Sequence, residues 1–260
     1  MIKSLFFDID GTLVSFKTHR IPDSTVMALE EANRRGVKIF ISTGRPKAFV
    51  INLKQIEHLI SGYILNNGAV SFVGSETVSC NPIPPEDVQT LINDAKQNNY
   101  PYIIMGERDF AVVNIEPVVD RIFDEELKIN NIHNGKTLDY VLQQRIMQLT
   151  PFFGSDYEKI ILPKIPGCMS NRWNPEFTDL TSKYADKGQG LASMAEYLGL
   201  NISETMAFGD GGNDIPIIRC AGVGVAMGNA DENVKQVADY VTDTIDDNGV
   251  YNALKHFNVI

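Results

Sequence analysis

The stretch Leu5-Phe6-Phe7-Asp8-Ile9-Asp10-Gly11-Thr12-Leu13 decides the predicted fold of this chain. Its apolar beginning is typical of a short strand buried on both faces, and Gly11 and Thr12 then indicate a turn. Because residues two apart in an extended chain point to the same side, a strand that continued to Asp10 would hold both carboxylates together. Two such charges repel each other unless a cation lies between them or one keeps its proton. The stretch therefore predicts a hard metal ion, a nucleophile beside an acid, or both.

An Asp-x-Asp-Gly sequence is also compatible with an ordinary acidic turn or with part of a calcium-binding loop. A calcium loop that began at Asp8 would need a glycine and a glutamate where the chain has Leu13 and His19. The calcium interpretation is therefore excluded. The ordinary turn is disfavoured only by the further motifs along the chain.

The composition indicates an acidic globular protein of 260 residues with a net charge of −10. This charge repels nucleic acid, so we expect no nucleic-acid partner, and an anionic substrate would need local cations. The three cysteines form no Cys-x-x-Cys pair, which disfavours zinc and disulfides. Residues 1–7 do not match a signal peptide, and no apolar run approaches the roughly 20 residues of a membrane span. We expect a cytoplasmic monomer or weak oligomer with no membrane partner.

Strands and helices alternate in the first and last parts of the chain. The first part has predicted strands at 5–7, 37–42 and 62–65 and helices at 22–36 and 46–59. The last part has helices at 187–198, 215–221, 231–238 and 249–257 and strands at 205–208, 223–227 and 240–241. Short connections between such elements imply a parallel sheet with right-handed crossovers.

The middle of the chain has a different pattern. It has a predicted hairpin at 69–80, a helix at 85–99 and strands at 102–105 and 110–115. This pattern predicts an α+β unit inserted into an α/β unit. We place the α/β unit at residues 1–82 and 184–260, and the insertion at residues 83–183.

Three predicted strands end in polar residues that could share one site. These residues are Asp8 and Asp10 after the first strand, Thr43, Gly44 and Arg45 after the second, and Asp210, Asn213 and Asp214 after the strand at 205–208. The carboxyl ends of parallel strands lie on the same sheet edge, and ligands bind there where the strand order reverses. If the later strands add on the other side of the first strand, that reversal falls beside Asp8.

These residue types suit the hydrolysis of phosphate monoesters. Mg²⁺ held by Asp8 and Asp210 would offset the charge of a phosphate and orient one oxygen for in-line attack. Asp8 could act as a covalent nucleophile. Asp10 could protonate the leaving oxygen and later accept a proton from water.

Hydrogen-bond donors and cations for the phosphate are also available. The Thr43 hydroxyl and the Gly44 amide suit phosphate oxygens. Arg45 or Lys187 would supply fixed positive charge in the transition state. Alone, Arg45 is typical of a surface residue at a helix start and Lys187 of a solvated charge, so only the shared sheet edge favours these roles.

Four stretches resemble, in order, the four motifs of the haloacid dehalogenase (HAD) superfamily. They are Asp8-Ile9-Asp10-Gly11-Thr12-Leu13, Ser42-Thr43-Gly44-Arg45, Lys187-Gly188 and Gly209-Asp210-Gly211-Gly212-Asn213-Asp214. The insertion, with Asn67-Gly68-Ala69, is similar to the Cof-type (IIB) subfamily of sugar-phosphate phosphatases, above all to hexose-phosphate phosphatases of gut bacteroidetes. The resemblance implies a Rossmann-like parallel-sheet core of the α/β class with an inserted α+β cap.

The resemblance also implies a role for each matching residue. Asp8 would be the nucleophile and Asp10 the general acid and base. Mg²⁺ would be held by Asp8, the Asp10 carbonyl and Asp210, with Asp214 behind them. Thr43 and Lys187 would hold the transferring phosphoryl group, and Gly44, Arg45 and Asn213 would line the phosphate side. Aspartate at position 10 favours a phosphatase or phosphomutase, because the related ion-pump ATPases and dehalogenases lack it.

The leading hypothesis is an Mg²⁺-dependent phosphoric monoester hydrolase acting on small phosphorylated metabolites such as hexose and pentose phosphates. It would form an aspartyl-phosphate intermediate, and the cap would close over the site. A sugar phosphomutase and a non-catalytic sugar-phosphate sensor remain alternatives. In the cap, Arg172 and Trp173 could contact a sugar, although Trp173 is more typical of packing between cap and core.

Overall fold

The structure is a computed structural model that describes residues 1–127, 129, 132–172 and 174–260. Its contacts divide the chain into two compact units. The first unit comprises Met1–Gly44, Asn52–Cys80 and Asp186–Ile260, and the second comprises Arg45–Ile51 and Asn81–Ala185. The expectation for Trp173 lies outside the described residues.

The strands and helices are numbered here in chain order. The strands are β1 (Ser4–Phe7), β2 (Lys38–Ser42), β3 (Ile60–Leu65), β4 (Val70–Val73), β5 (Glu76–Cys80), β6 (Tyr102–Gly106), β7 (Phe110–Val113), β8 (Ile146–Pro151), β9 (Cys168–Asn171), β10 (Asp179–Ser182), β11 (Thr205–Gly209), β12 (Val223–Ala226) and β13 (Tyr240–Val241). The α-helices are α1 (Asp23–Arg34), α2 (Pro85–Asn98), α3 (Pro117–Asp120), α4 (Leu138–Val141), α5 (Ser155–Ile161), α6 (Lys187–Tyr197), α7 (Ile215–Cys220), α8 (Glu232–Lys235) and α9 (Gly249–His256).

The first unit is built on an eight-stranded sheet in the order β13-β12-β11-β1-β2-β3-β4-β5. The pairs from β13 to β3 are parallel, and the β4–β5 hairpin continues the sheet with antiparallel pairs. Phe7 of β1 pairs with Ile41 of β2 on one side and with Phe208 of β11 on the other. The strand order therefore reverses at β1, as predicted, and Asp8 follows that strand directly.

Apolar packing explains why β1 occupies the centre of the sheet. All four of its residues are buried, and successive side chains point to opposite faces of a sheet. Phe6 stacks on Phe40 with ring centroids 4.9 Å apart, and Phe7 stacks on Phe208 at 4.7 Å. The cluster around Phe6 includes residues of α6 and α7. A strand buried in this way fixes the position of the loop that follows it.

The second unit has a five-stranded antiparallel sheet in the order β7-β6-β8-β10-β9. Two apolar clusters pack within this unit, one containing residues of α2 and one containing residues of the segment 117–127. The predicted hairpin at 69–80, the helix at 85–99 and the two following strands are confirmed within one or two residues. The structure therefore has the predicted α/β unit interrupted by an α+β unit, and the boundaries at 82 and 184 remain a prediction.

β1 ends at Phe7, in agreement with the predicted strand at 5–7, so the condition that the strand continue to Asp10 is not met, and residues 9–14 form a compact loop with a bridge between Asp10 and Val14. Two predictions of local structure are wrong. The predicted helix at 46–59 is replaced by two short 3₁₀ turns, Lys47–Phe49 and Glu57–Leu59. The predicted helix at 231–238 contains only the four residues of α8. Within the described ranges, none of the helices has the length and apolar character needed to span a bilayer.

Candidate active site

The end of β1 places the Asp8 carboxyl at the centre of the parallel edge. The backbone N–H of Asp8 donates to the carbonyl of Phe208 at 3.1 Å, which continues the pairing with β11 by one residue. The side chain of Asp8 is only 10% exposed. Asp8 therefore lies where the carboxyl ends of three neighbouring strands converge.

The loop after Asp8 brings the β1 and β11 ends close together. Gly11 has a φ of +82°, and a Cβ built on it would lie 2.1 Å from Oδ2 of Asp210. A side chain at this position would therefore collide with the Asp210 carboxyl. The next residue supports the same carboxyl, because the Thr12 hydroxyl donates to Asp210 Oδ1 at 2.7 Å.

Lys187 joins two of the carboxylates. Its Nζ lies 2.6 Å from Oδ1 of Asp8 and 2.6 Å from Oδ1 of Asp214, and its side chain is fully buried. Lys187 is the first residue of α6, whose N-cap is Asp186, a side chain that accepts from the N–H of Gln189. This N-cap hydrogen bond fixes the start of α6 and thereby the position from which the Lys187 side chain extends.

Asp214 is held from two directions. Its Oδ1 receives the Lys187 ammonium, and its Oδ2 accepts the N–H groups of Asp210 and Gly211, both at 3.0 Å. These bonds hold the loop after β11 in a closed turn. Asp214 therefore orients both the ammonium and the backbone of Asp210.

Burial and neighbouring charges together raise the pKa values of Asp8, Asp210 and Lys187. Burial raises the pKa of the Asp8 carboxyl well above its usual value, the Lys187 ammonium opposes that shift, and Asp214, Asp210 and Asp10 add to it. Burial raises the pKa of Asp210 to about 7, although the bond from Thr12 opposes it. Burial alone would lower the pKa of Lys187, but Asp214 and Asp8 outweigh it and raise that pKa. Lys187 is therefore charged, and the raised pKa values of Asp8 and Asp210 favour the protonated forms of these two carboxyl groups.

The donor set fits a hard divalent cation. Among the described residues, Asp8, Asp210 and Asp214 offer carboxylate oxygens that lie within 4.8 Å of one another. The buried ammonium of Lys187 lies beside these three carboxyl groups, and Asp10 adds a further negative charge nearby. Carboxylate oxygens with excess negative charge are the ligands that Mg²⁺ prefers. A second group, Asp120, Asp124 and His133, lies in the second unit and is more exposed.

The predicted phosphate-side residues follow β2 and β11. Thr43 is buried, and its N–H donates to the carbonyl of Ile64 in β3 at 2.9 Å. Asn213 donates from Nδ2 to Oδ1 of Asn67 at 3.0 Å. Arg45 belongs to the second unit, where its guanidinium donates to the carbonyl of Phe49 at 2.9 Å. The roles of these three residues remain predictions.

The structure brings together part of the predicted set. Asp8, Asp210, Asp214 and Lys187 form one group, in which Asp210 is half-buried and the other three are buried. Asp10 does not continue the strand, but its charge acts on the pKa values of Asp8 and Asp210.

Two residues were not assigned a role from the sequence. Thr12 bonds the Asp210 carboxyl, and Asn67 bonds Asn213. Each lies within a stretch that carries the resemblance, which was the available signal. A single sequence could not show which way these side chains point.

The guanidinium of Arg172 makes several contacts within the second unit. The group pairs with Glu158 and donates to the carbonyls of Phe153 and Phe177 at 3.0 and 2.9 Å. It also donates to the carbonyls of Asn174 and Pro175. These bonds support a structural role rather than the sugar contact considered above.

Comparison with known proteins places this geometry in a family. Residues 5–254 match the haloacid dehalogenase-like hydrolase family. The solved structure of the HAD subclass IIB sugar phosphatase BT4131 is 44% identical, with a TM-score of 0.89 over 99% of this chain and 100% of that one. BT1666 from Bacteroides thetaiotaomicron, a phosphatase of the same superfamily, is 36% identical, with a TM-score of 0.87 over 100% of this chain and 96% of that one. YkrA of Bacillus subtilis is 31% identical over 99% of this chain and 98% of its own length.

The chain therefore belongs to the haloacid dehalogenase-like hydrolase family. It is a phosphoric monoester hydrolase with an HAD core and an inserted α+β cap, and the predictions of family, fold class and enzyme class are confirmed.

Proposed function

We propose that this phosphatase depends on Mg²⁺ and hydrolyses sugar phosphates, with hexose and pentose phosphates as its substrate class, through an aspartyl-phosphate intermediate. The observation that carries the proposal is the buried contact of Lys187 with Asp8 and Asp214, beside Asp210, at the reversal of strand order. Such a group can hold a metal, a nucleophile and the charge of a phosphate in one place.

Asp8, Asp210 and the Asp10 carbonyl would hold the metal, with Asp214 orienting the groups around it. The bound ion would supply positive charge that offsets the phosphate and the carboxylates. Lys187 would neutralise charge on the phosphoryl oxygens, and its two carboxylate contacts keep its Nζ in place. Thr43 and Gly44 would donate to the same oxygens.

The first chemical step would be attack by a carboxylate oxygen of Asp8 on phosphorus. The bond between phosphorus and the ester oxygen breaks as the new bond forms, and Asp10 gives the leaving oxygen its proton. In the second step Asp10 takes a proton from water while that water attacks the same phosphorus. The bond between phosphorus and the Asp8 oxygen breaks as the water oxygen bonds to phosphorus, inorganic phosphate leaves, and Asp8 and Asp10 return to their initial states.

The substrate class is supported by similarity rather than by a residue of this chain. BT4131, which is 44% identical, is described as a sugar phosphatase. A phosphomutase would share every residue named above, and a sensor would need neither a nucleophile nor an acid. Phosphate release separates these possibilities, because only the hydrolase forms inorganic phosphate in proportion to the substrate consumed.

The test is phosphate release from hexose, pentose, triose and nucleotide monophosphates, with Mg²⁺ and with a chelator. We expect release from sugar phosphates that stops when the metal is removed. Equal release from all phosphates would contradict the substrate class, and release that survives chelation would contradict the metal requirement. Sugar bisphosphate consumed without phosphate would favour the mutase.

The nucleophile is tested by Asp8→Asn. We expect phosphate release to fall by at least about 10³-fold, because the amide cannot form the covalent intermediate. Asp23→Asn, at the exposed start of α1, is the matched control and should retain full activity. Unchanged release by Asp8→Asn would exclude the covalent mechanism.

A further inference from the structure

The turn that follows β3 has an uncommon backbone. Asn66, Asn67 and Gly68 have φ values of 51°, 52° and 94°, so three successive residues adopt positive φ. Asn66 and Asn67 are buried. Asparagine tolerates this region better than most residues, but it is held there only where surrounding contacts determine the conformation. The contacts of this turn therefore indicate what the conformation is for.

The contacts of Asn67 reach the residues after two other strands. Its backbone N–H donates to the carbonyl of Thr43 at 3.1 Å, which ties the turn to the end of β2. Its Oδ1 accepts from Nδ2 of Asn213 at 3.0 Å, which ties the turn to the loop after β11. The same side chain lies against Gly44, where an added Cβ would be 3.0 Å from Oδ1 of Asn67.

The next residue of the turn adjoins the start of α6. A Cβ built on Gly68 would lie 2.1 Å from the carbonyl oxygen of Asp186, the residue before Lys187. The backbone of the turn therefore packs directly on the segment that delivers the buried lysine. One turn of three residues thus touches all the loops that carry the predicted phosphate-binding groups.

We propose that Asn67 is a positioning residue, which acts through Asn213 to hold the phosphate-binding side of the site in its working geometry. The inference rests on the proposed function, because it assigns Asn67 a part in the same reaction. A side chain fixed before substrate arrives loses less freedom on binding, so the phosphate is held better. A neutral amide suits this position, because a carboxylate would accept the same bond but would add negative charge beside the phosphate.

The first test uses Asn67→Gly, since glycine keeps the left-handed backbone and removes only the side-chain bond. We expect kcat/KM to fall by about tenfold, the effect of one lost hydrogen bond in a buried site. The inhibition constant of inorganic phosphate should rise by a similar factor. Asn248→Gly is the matched control, because Asn248 has a φ of 66° in the same unit and an exposed side chain. It should keep wild-type kinetics.

A double-mutant cycle shows whether Asn67 acts through Asn213. If it does, Asn67→Gly should cost little in a protein that already carries Asn213→Ala, so the two losses should not add. A structural defect would instead lower the melting temperature and add fully to the loss from Asn213→Ala. Wild-type kinetics of Asn67→Gly, or fully additive losses, would overturn the proposal.

The result also separates this proposal from the proposed function. If the wild-type protein releases no phosphate from any sugar phosphate, the proposed function fails first. If the wild-type protein is active, Asp8→Asn is inactive and Asn67→Gly equals the wild type, only the positioning role fails.

Discussion

The ammonium of Lys187 compensates two buried carboxylates, so its removal should affect stability as well as activity. Lys187→Met keeps an apolar stem of similar length and leaves Asp8 and Asp214 without their shared cation. Breaking a buried ion pair from one side costs about 3–5 kcal/mol. We expect the free energy of unfolding of the metal-free protein at pH 8 to fall by about 3 kcal/mol. Phosphate release should be lost as well.

Urea unfolding followed by circular dichroism measures this loss. Lys159→Met is the matched control, because Lys159 pairs with Asp156 on the surface and both side chains are exposed. Its urea midpoint should equal that of the wild type. An unchanged midpoint for Lys187→Met would show that the buried pair contributes nothing to stability.

The raised pKa of Asp210 predicts how metal binding depends on pH. Because burial raises this pKa to about 7, the folded protein holds a proton that the unfolded chain has already lost above its ordinary value near 3.8. The stability of the metal-free protein should therefore decrease as the pH rises from about 4 to about 7. Mg²⁺ needs the deprotonated carboxylate, so the rise in melting temperature that it causes should be larger at pH 8 than at pH 6.

Melting curves with Mg²⁺ and with a chelator at pH 6, 7 and 8 test this dependence. Asp210→Asn removes the titrating group and a proposed ligand together, so Mg²⁺ should shift its melting temperature little at any pH. A larger shift at pH 6 than at pH 8 in the wild type would contradict the assignment.

At the level of residues, sequence could identify charged groups but not the neutral groups that orient them. Asp8, Asp210 and Lys187 could be predicted because parallel strand ends share an edge, and the structure brings them together. Thr12 and Asn67 could not be assigned in this way. Their contacts depend on left-handed backbone at Gly11 and at residues 66–68, which no periodicity encodes.

Among the elements of the cap, the segment around β9 contains a partly buried arginine, Arg172, with many contacts. The side chains of Arg172 and Glu158 are 18% and 15% exposed, and four backbone carbonyls accept from the same guanidinium. Arg172→Met removes the donor that Glu158 and these four carbonyls share. We expect the free energy of unfolding to fall by about 3 kcal/mol, as for a broken buried ion pair.

Thermal and urea unfolding of the full chain measure this effect. Arg121→Met is the matched control, because Arg121 also forms ion pairs, in its case with Glu126 and Glu176, but these lie on the surface. Surface pairs contribute little, so this variant should unfold like the wild type. Equal losses for the two variants would mean that burial of the Arg172 guanidinium does not matter.

A helix was predicted at 46–59, but the structure has two short 3₁₀ turns there, and this difference shows where the prediction of elements fails. Phe49, Leu53 and Ile56 have helical spacing and are all buried, which favours a helix on the sequence alone. The segment is divided, however, between the two units. Phe49 packs on Phe110 and Phe123 in the second unit, whereas residues from Asn52 onward belong to the first. One continuous helix could not serve two cores, and a local pattern does not reveal this division.

For the molecule as a whole, the two units should differ in their ability to fold as fragments. In the core cluster of the first unit, Phe6, Phe40 and Ile64 pack on a larger number of residues from beyond Asp186. A fragment of residues 1–80 would lack most of that cluster, and the edge of β1 that pairs with β11 would have no partner strand. Residues 81–185 contain one complete apolar cluster and all but Phe49 of a second.

We expect residues 81–185, expressed alone, to unfold cooperatively in urea, and residues 1–80 to show no cooperative transition. Circular dichroism of the two purified fragments tests this difference. A sigmoidal transition for residues 1–80 would mean that the first three parallel strands and α1 are a sufficient core.

The architecture of the whole chain was more predictable than its details. Alternating elements and right-handed crossovers leave few topologies, and the observed order with β1 between β2 and β11 is the predicted one. The interruption was visible as a change of pattern after residue 68. What the sequence left undetermined was the grouping of residues 45–51 with the second unit.

The central place of β1 has a consequence for biosynthesis. β1 comprises residues 4–7 and is synthesised early. Its partner β11 comprises residues 205–209 and is synthesised much later. At about 5–20 residues per second, the nascent strand waits on the order of 10–40 s for that partner. An apolar strand with one unpaired edge can recruit other chains during this interval. Chaperones that shield apolar nascent segments should therefore increase the amount of this enzyme that a cell recovers in active form.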